Sequence, residues 1–139
     1  MNWLSNSLSK AEHTFGCDRC WPSGADAAWL ARDALSRDLE LIDESHFHVM
    51  ILACPSCLQR FVSIFTETVD WQDGEDPQYW TLFPITSEEA SELARQGGAL
   101  SEGTLNTLGG ERRSLQHDHP KGSAARSYWR TGVTVGLHD

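Results

Sequence analysis

The sequence has few basic residues and no long apolar run. It carries 11 Lys and Arg against 20 Asp and Glu, a formal net charge of −9. This balance argues against general binding to DNA or RNA, which requires a basic surface. No segment approaches the roughly 18 apolar residues of a membrane-spanning helix, and residues 1–10 lack the basic and apolar segments of a signal peptide. We therefore expect a cytoplasmic protein without membrane attachment.

The sequence also lacks the motifs of common active sites. It has no glycine-rich phosphate loop, because Gly97-Gly98 and Gly109-Gly110 fall at predicted helix ends. No Ser–His–Asp or Cys–His set stands out, and no His-x-Glu or Cys-x-Glu element precedes Cys54, as zinc deaminase chemistry would require. We expect a protein that is not an enzyme, with an unrecognised redox or hydrolytic enzyme as an alternative.

All four cysteines belong to two Cys-x-x-Cys pairs, Cys17–Cys20 and Cys54–Cys57. Two residues between cysteines allow both sulfurs to face one point, so the pairs can supply the four thiolates of a tetrahedral metal site. In a reducing compartment such pairs more often bind metal than form structural disulfides. Because four thiolates leave no open coordination position, the pattern predicts one structural Zn²⁺ and not a catalytic ion.

With a predicted strand on each side of the second pair, residues 15–85 resemble the zinc-ribbon group. The resemblance implies two knuckles that bind one zinc beside a small antiparallel sheet, with Cys17, Cys20, Cys54 and Cys57 as ligands. Many such knuckles have glycine after the second cysteine, whereas this chain has Trp21 and Leu58. The alternatives are a rubredoxin-like iron site, a thioredoxin-like redox pair, and cysteines that are unmetallated or disulfide-linked.

The hydrophobic pattern predicts an α+β fold built on a zinc-pinned antiparallel sheet. Apolar residues recur at helical intervals over residues 25–42, which predicts a helix inserted between the knuckles. Residues 46–53, 61–69 and 78–85 are typical of three strands in a meander, with the second knuckle at a hairpin tip. Thr86 and Glu89 form the capping-box pattern of a helix that ends near Gln96. A short helix at 101–108 and a C-terminal hairpin at 112–118 and 126–135 complete the prediction.

We expect a single zinc-stabilised α+β domain over residues 17–139. The 139-residue chain is long enough for one modest core, and a bound metal adds stability to a domain of this kind. Residues 1–16 are polar and weakly patterned. We interpret them as a flexible arm or as a short helix capped onto the domain.

Acidic and aromatic residues cluster between the second and third predicted strands. Acidic side chains around exposed aromatics are typical of a contact surface for a basic protein, and small acidic immunity proteins against nuclease toxins have this charge and size. The alternatives are that the aromatics fill the core while the acids solvate a turn, or that the chain is a zinc-ribbon nucleic-acid or transcription accessory module. The predicted contact residues are Asp70, Trp71, Asp73, Glu75, Asp76, Tyr79 and Trp80.

Overall fold

The computed structural model describes residues 15–139, so most of the predicted arm at 1–16 lies outside the described residues. Six strands form one antiparallel sheet in which every strand lies beside its sequence neighbours. The predicted three-stranded meander and the predicted C-terminal hairpin are both confirmed, and they belong to the same sheet. The strands are β1 (Ser36–Glu44), β2 (Phe47–Ala53), β3 (Arg60–Glu67), β4 (Gln78–Ile85), β5 (Arg113–His119) and β6 (Arg126–Thr131).

Three α-helices lie within the described residues: α1 (Ala25–Ala31), α2 (Ser87–Gln96) and α3 (Glu102–Asn106). The start of α2 is the capping box that the sequence predicted. The Glu89 amide donates to Thr86 Oγ1 at 3.1 Å, and the Thr86 amide donates to the Glu89 carboxylate at 2.9 Å. The helix ends at Gly97, whose φ of 48° is a conformation that glycine adopts without steric cost.

The helix predicted over residues 25–42 is wrong in its second half. Helix α1 ends at Ala31, a single 3-10 turn follows at Arg32–Ala34, and the nine residues of strand β1 begin after Leu35. Short as it is, α1 still lies between the two cysteine pairs as predicted.

Two register shifts in the pairing of β1 with β2 explain why the apolar residues of β1 recur at helical intervals. Leu39 lies opposite Ile51 and Ile42 lies opposite Val49, with a register shift between them. The extra residue of a bulge places Leu39 and Ile42 on the same side of the sheet although they are three residues apart. A spacing of three is also that of one helix face, so periodicity alone could not distinguish the two structures.

The sheet separates two hydrophobic clusters. One side, here called the α2 face, packs against α2 and α3, and its buried strand residues include Val49, Ile51, Val62, Ile64 and Phe83. The other side, here called the α1 face, packs against α1 and the first cysteine pair, and its buried strand residues are Leu52, Phe61, Leu82 and Leu115. Strand alternation sends successive residues to opposite sides, and Cys17, Cys20 and Cys54 pack with the hydrophobic cluster of the α1 face.

Candidate metal centre

The second knuckle (Cys54–Cys57) closes the hairpin between β2 and β3. The Cys54 amide donates to the Gln59 carbonyl at 2.9 Å, and the Leu58 amide donates to the Cys54 carbonyl at 2.9 Å. Leu58 has a φ of 68°, the left-handed conformation that favours glycine. The turn therefore has the backbone of a glycine-containing knuckle although the sequence places leucine there.

The first knuckle (Cys17–Cys20) has the same internal hydrogen bond, from the Trp21 amide to the Cys17 carbonyl at 2.8 Å. Here the left-handed residue is Gly16, which precedes the knuckle with a φ of 75°. A Cβ atom at Gly16 would lie 2.6 Å from Trp21 Cβ, which leaves no room for a side chain.

The Gln59 side chain joins the two knuckles. Its Oε1 accepts from the Gly16 amide at 3.0 Å, while its Nε2 donates to the Ile85 carbonyl at 2.9 Å. It therefore holds the segment before the first knuckle against the loop of the second. The sequence prediction missed this residue, because one glutamine beside a cysteine pair carries no recognisable pattern.

The four sulfur atoms form a compact cluster. All lie within 4.8 Å of one another, and the measured separations are 3.8 Å for Cys17–Cys20, 3.9 Å for Cys17–Cys54 and 3.7 Å for Cys20–Cys57. In a tetrahedral thiolate site with metal–sulfur distances of about 2.3 Å, neighbouring sulfurs lie about 3.8 Å apart. The arrangement can hold one four-coordinate metal ion, and the sulfurs are too far apart for disulfides, whose bonds are about 2.05 Å long.

Burial and backbone amides act in opposite directions on these thiols. Burial raises the pKa of Cys20. For Cys54 burial also acts to raise the pKa, but hydrogen bonds from the amides of Cys57 and Ser56 lower it to about 7. The Ser56 amide lies 3.4 Å from Cys54 Sγ, so the turn donates a hydrogen bond to the sulfur. Metal ligation requires the thiolate form, which these amides stabilise.

Aromatic packing attaches the first knuckle to the sheet. The Trp21 ring lies 5.2 Å from Phe61 and 5.0 Å from Trp129 between centroids. The Arg113 guanidinium lies 3.7 Å from the Trp129 ring and 5.2 Å from the Trp21 ring, and it donates to the Pro22 carbonyl. Two residues of the C-terminal hairpin thus support the cluster, and no sequence pattern links them to cysteines more than 90 positions earlier.

The predicted contact residues of the β3–β4 loop lie together and form a hydrogen-bonded turn. The Asp70 carboxylate accepts from the amides of Gln72, Asp73 and Glu75 at 3.2 to 3.3 Å, and the Asp70 amide donates to Asp76 at 2.8 Å.

Lys121 of the β5–β6 hairpin completes this loop, with its Nζ 2.9 Å from carboxylates of both Asp70 and Asp73. Trp71 is 89% exposed. The loop therefore fixes its backbone from within and presents a tryptophan to solvent.

The other two predicted contact residues are adjacent in β4 and so face opposite sides of the sheet. Trp80 lies on the α1 face, with its ring 5.1 Å from Phe65 and 5.5 Å from Trp29. Tyr79 lies opposite Thr66 on the α2 face. The seven residues therefore do not form one continuous surface, and only the five in the loop are neighbours.

Compared with protein-family models, curated proteins and solved structures, the chain matches none. Within residues 15–139, every helix is too short or too polar to cross a membrane.

Proposed function

We propose that the protein is a non-enzymatic, zinc-stabilised interaction protein that binds a basic protein surface through the loop at 70–76. The four-sulfur cluster supports zinc as the metal, because zinc favours tetrahedral thiolate coordination. Its ligands are all protein side chains, which favours a structural role. Binding is then assigned to a different part of the molecule, at the opposite end of β3.

The exposed Trp71 carries this proposal. A tryptophan that is 89% exposed leaves a large apolar surface in water, and tryptophan is among the residues most enriched at the energetic centres of interfaces. The loop around it is already ordered by the hydrogen bonds of Asp70, so binding would cost little further conformational entropy. These properties favour a role for Trp71 as the anchor of a protein interface over the alternative that it lies in an ordinary surface turn.

The charge around Trp71 favours a basic partner. Asp73 is exposed although it pairs with Lys121, and Glu75 is exposed without a salt bridge among the described residues. Lys121 is therefore outnumbered by the loop carboxylates. Together with the net charge of −9, this acidic rim would accelerate encounter with a positively charged surface. An immunity or inhibitor protein that neutralises a basic toxin is the specific form of this proposal.

The test compares binding by the wild-type protein and Trp71→Ala. Candidate partners are any basic protein whose gene adjoins that of this chain and proteins captured from cells of the source organism, each purified and titrated. We expect Trp71→Ala to weaken binding about 30-fold or more, and we expect added salt to weaken wild-type binding. Leu30→Ala is the matched control, because Leu30 is 72% exposed but lies on α1.

Three outcomes would refute the proposal. The purified basic partner could bind Trp71→Ala as tightly as wild type, Leu30→Ala could weaken binding equally, or only RNA could be recovered. The first two would remove the loop from the interface, and the third would favour the nucleic-acid alternative.

A further inference from the structure

The α2 face of the sheet changes from apolar to polar at its β4–β6 side. Val49 and Val62, on β2 and β3, belong to the core beneath the helices. By contrast, Tyr79, Gln116 and Tyr128, on β4, β5 and β6, line a cavity of about 230 Å³, here called the polar cavity. Pockets for drug-sized molecules start at about 300 Å³, so this cavity suits a ligand with a single small ring.

A buried hydroxyl without a protein partner lines the polar cavity. Thr66 is 3% exposed, yet its hydroxyl makes no hydrogen bond within residues 15–139. The C-terminal segment approaches this hydroxyl without bonding to it, since a Cβ atom at Gly136 would lie 3.6 Å from Thr66 Oγ1. An unpaired buried hydroxyl costs the folded protein free energy. A hydrogen-bonding ligand in the cavity would relieve this cost.

The floor beside Thr66 is fixed by its own hydrogen bonds. Thr81 and Gln116 are 8% and 7% exposed. Thr81 Oγ1 donates to Gln116 Oε1 at 2.9 Å, and Gln116 Nε2 donates to Ser114 Oγ at 3.1 Å. These bonds orient the floor before any ligand enters, which lowers the entropic cost of binding.

Asp118 supplies a hydrogen-bond acceptor on the other side of the cavity. Its Oδ2 accepts from Tyr128 OH at 2.7 Å, while its Oδ1 has no hydrogen-bond partner within the described part of the chain. Burial and this carboxylate raise the pKa of Tyr128, so the phenol remains a donor and holds the carboxylate in position. Oδ1 is then left to accept from a ligand.

Thr66 and Asp118 belong to one row of residues across the sheet. Thr66 lies opposite Tyr79, and Tyr79 lies opposite Asp118. The backbones of Thr66 and Asp118 are therefore two strand spacings, about 10 Å, apart with Tyr79 between them. A sugar ring with a hydrogen bond of about 2.8 Å on each side spans a comparable distance. The row thus has the width of one monosaccharide.

The charges that line the polar cavity balance. Among the described residues that line it, Asp118 is the one carboxylate and Arg130 the one guanidinium. Arg126 lies opposite Asp118 in the sheet, and its guanidinium is 4.5 Å from the Tyr128 ring. A cation therefore already lies at the Asp118 end, so nothing there calls for a positively charged ligand. Hydroxyl groups, which both donate and accept, match this lining without adding charge.

We propose that the polar cavity binds a neutral polyol of the monosaccharide class. One ring hydroxyl donates to Asp118 Oδ1, and another forms a hydrogen bond with the Thr66 hydroxyl. The apolar C–H face of the sugar ring packs against Tyr79. This site is separate from the loop at 70–76, so it stands or falls independently of the proposed partner binding.

The experiment titrates the ¹⁵N-labelled, metal-loaded full chain with D-glucose, D-galactose and D-mannose and follows backbone amide shifts. We expect saturable shifts around Thr66, Thr81 and Gln116 with at least one of these sugars. Cyclohexanol keeps a six-membered ring with a single hydroxyl, so it should bind at least about tenfold more weakly. Saturable binding of none of the sugars, or equally tight binding of cyclohexanol, would overturn the proposal.

Charged relatives of the sugar that binds test the charge argument. Its amino sugar adds an ammonium group to the same ring, and its uronate adds a carboxylate. Because the charges of the lining already balance, neither should bind more tightly than the neutral sugar. Binding of either one about tenfold more tightly would refute the neutral class.

Substitutions then place the sugar in the cavity. Thr66→Val should weaken sugar binding about fivefold and raise the melting temperature of the free protein, because it removes an unpaired buried hydroxyl. Asp118→Asn should weaken binding about tenfold. Thr131→Val is the matched control, since Thr131 is exposed at the end of β6 and does not line the cavity. Unchanged binding by folded Thr66→Val, or an equal loss in Thr131→Val, would overturn the proposal.

Discussion

The sulfur atoms of Cys20 and Cys57 lie 3.7 Å apart although 37 residues separate them in the chain. One belongs to an irregular segment before α1 and the other to the turn of the β2–β3 hairpin. A metal held by both knuckles would bind only the folded chain, so its binding free energy would add to the stability of the fold. The cluster thus attaches an otherwise weakly structured segment to the sheet.

Cys54→Ser should abolish metal binding and markedly lower the melting temperature. Cys54 is 2% exposed, so its loss removes a ligand and places a hydroxyl in a buried sulfur cluster. Elemental analysis of reduced wild-type protein should find one zinc per chain, and a strong chelator should reproduce the variant's melting curve. Ser56→Ala, in the same turn, is the control and should keep the metal. Metal-free wild-type protein with an unchanged melting temperature would contradict the assignment.

The ligand set could be predicted from sequence because Cys-x-x-Cys geometry is local. The long helix was predicted wrongly because the bulges of β1 place Leu39 and Ile42 on one side with helical spacing. The supports of the cluster were missed for another reason. Arg113 and Trp129 contact Trp21 only through the fold, and a contact across more than 90 residues has no local pattern. Sequence therefore identified the four cysteines that come together but not what holds them in place.

Glu89→Gln should destabilise the protein by about 1 to 3 kcal/mol. The Glu89 carboxylate accepts a hydrogen bond from the Thr86 amide. It also accepts one from each terminal nitrogen of Arg112, at 2.6 and 2.7 Å. The substitution removes the negative charge from a partly buried, bidentate ion pair between Glu89 and Arg112. Glu92→Gln is the matched control on the same helix, because its partner Arg95 is exposed, and it should change stability by less than about 0.5 kcal/mol. Urea denaturation measures both.

The same carboxylate makes stability depend on pH. Burial alone would raise the pKa of Glu89, but Arg112 and the Thr86 hydrogen bonds lower it below 4.5. A lowered folded-state pKa contributes stability above pH 4.5, and this contribution is lost as the pH falls through the folded-state value. The difference in unfolding free energy between wild type and Glu89→Gln should therefore shrink on acidification. A difference that stayed constant down to about pH 3 would show that the ionised pair is not its origin.

Lys121→Met should raise the pKa of Asp70. The hydrogen bond from Lys121 is the main reason that the pKa of Asp70 is lowered to about 2. Burial acts to raise this pKa, and hydrogen bonds from backbone amides lower it further. Because the amides remain, the pKa should rise but stay below its ordinary 3.8. Carboxyl ¹³C NMR titration measures it directly. Arg126→Met is the control. Arg126 is on β6 and its guanidinium stacks on the Tyr128 ring, so its substitution should leave the pKa of Asp70 unchanged. An equal effect of both substitutions would indicate a general charge effect and not the Lys121 contact.

Leu58→Gly should stabilise the protein by about 0.5 to 1 kcal/mol. The left-handed conformation costs a residue with a side chain about 1 to 2 kcal/mol, and glycine would relieve this cost. The greater freedom of glycine in the unfolded chain offsets about 0.4 to 1 kcal/mol of the stabilisation. Leu58 is 75% exposed, so little packing is lost.

Two controls separate strain from loss of the side chain at this position. Leu30→Gly removes an equally exposed leucine from α1, where glycine should instead destabilise by about 0.5 to 1 kcal/mol. Leu58→Ala keeps the strained φ and should change stability little, because the backbone penalty arises at Cβ. Denaturant melts of the metal-loaded variants decide between the possibilities. If Leu58→Gly and Leu58→Ala destabilised the protein equally, the leucine side chain would be holding the knuckle, and the left-handed turn would carry no cost that glycine relieves.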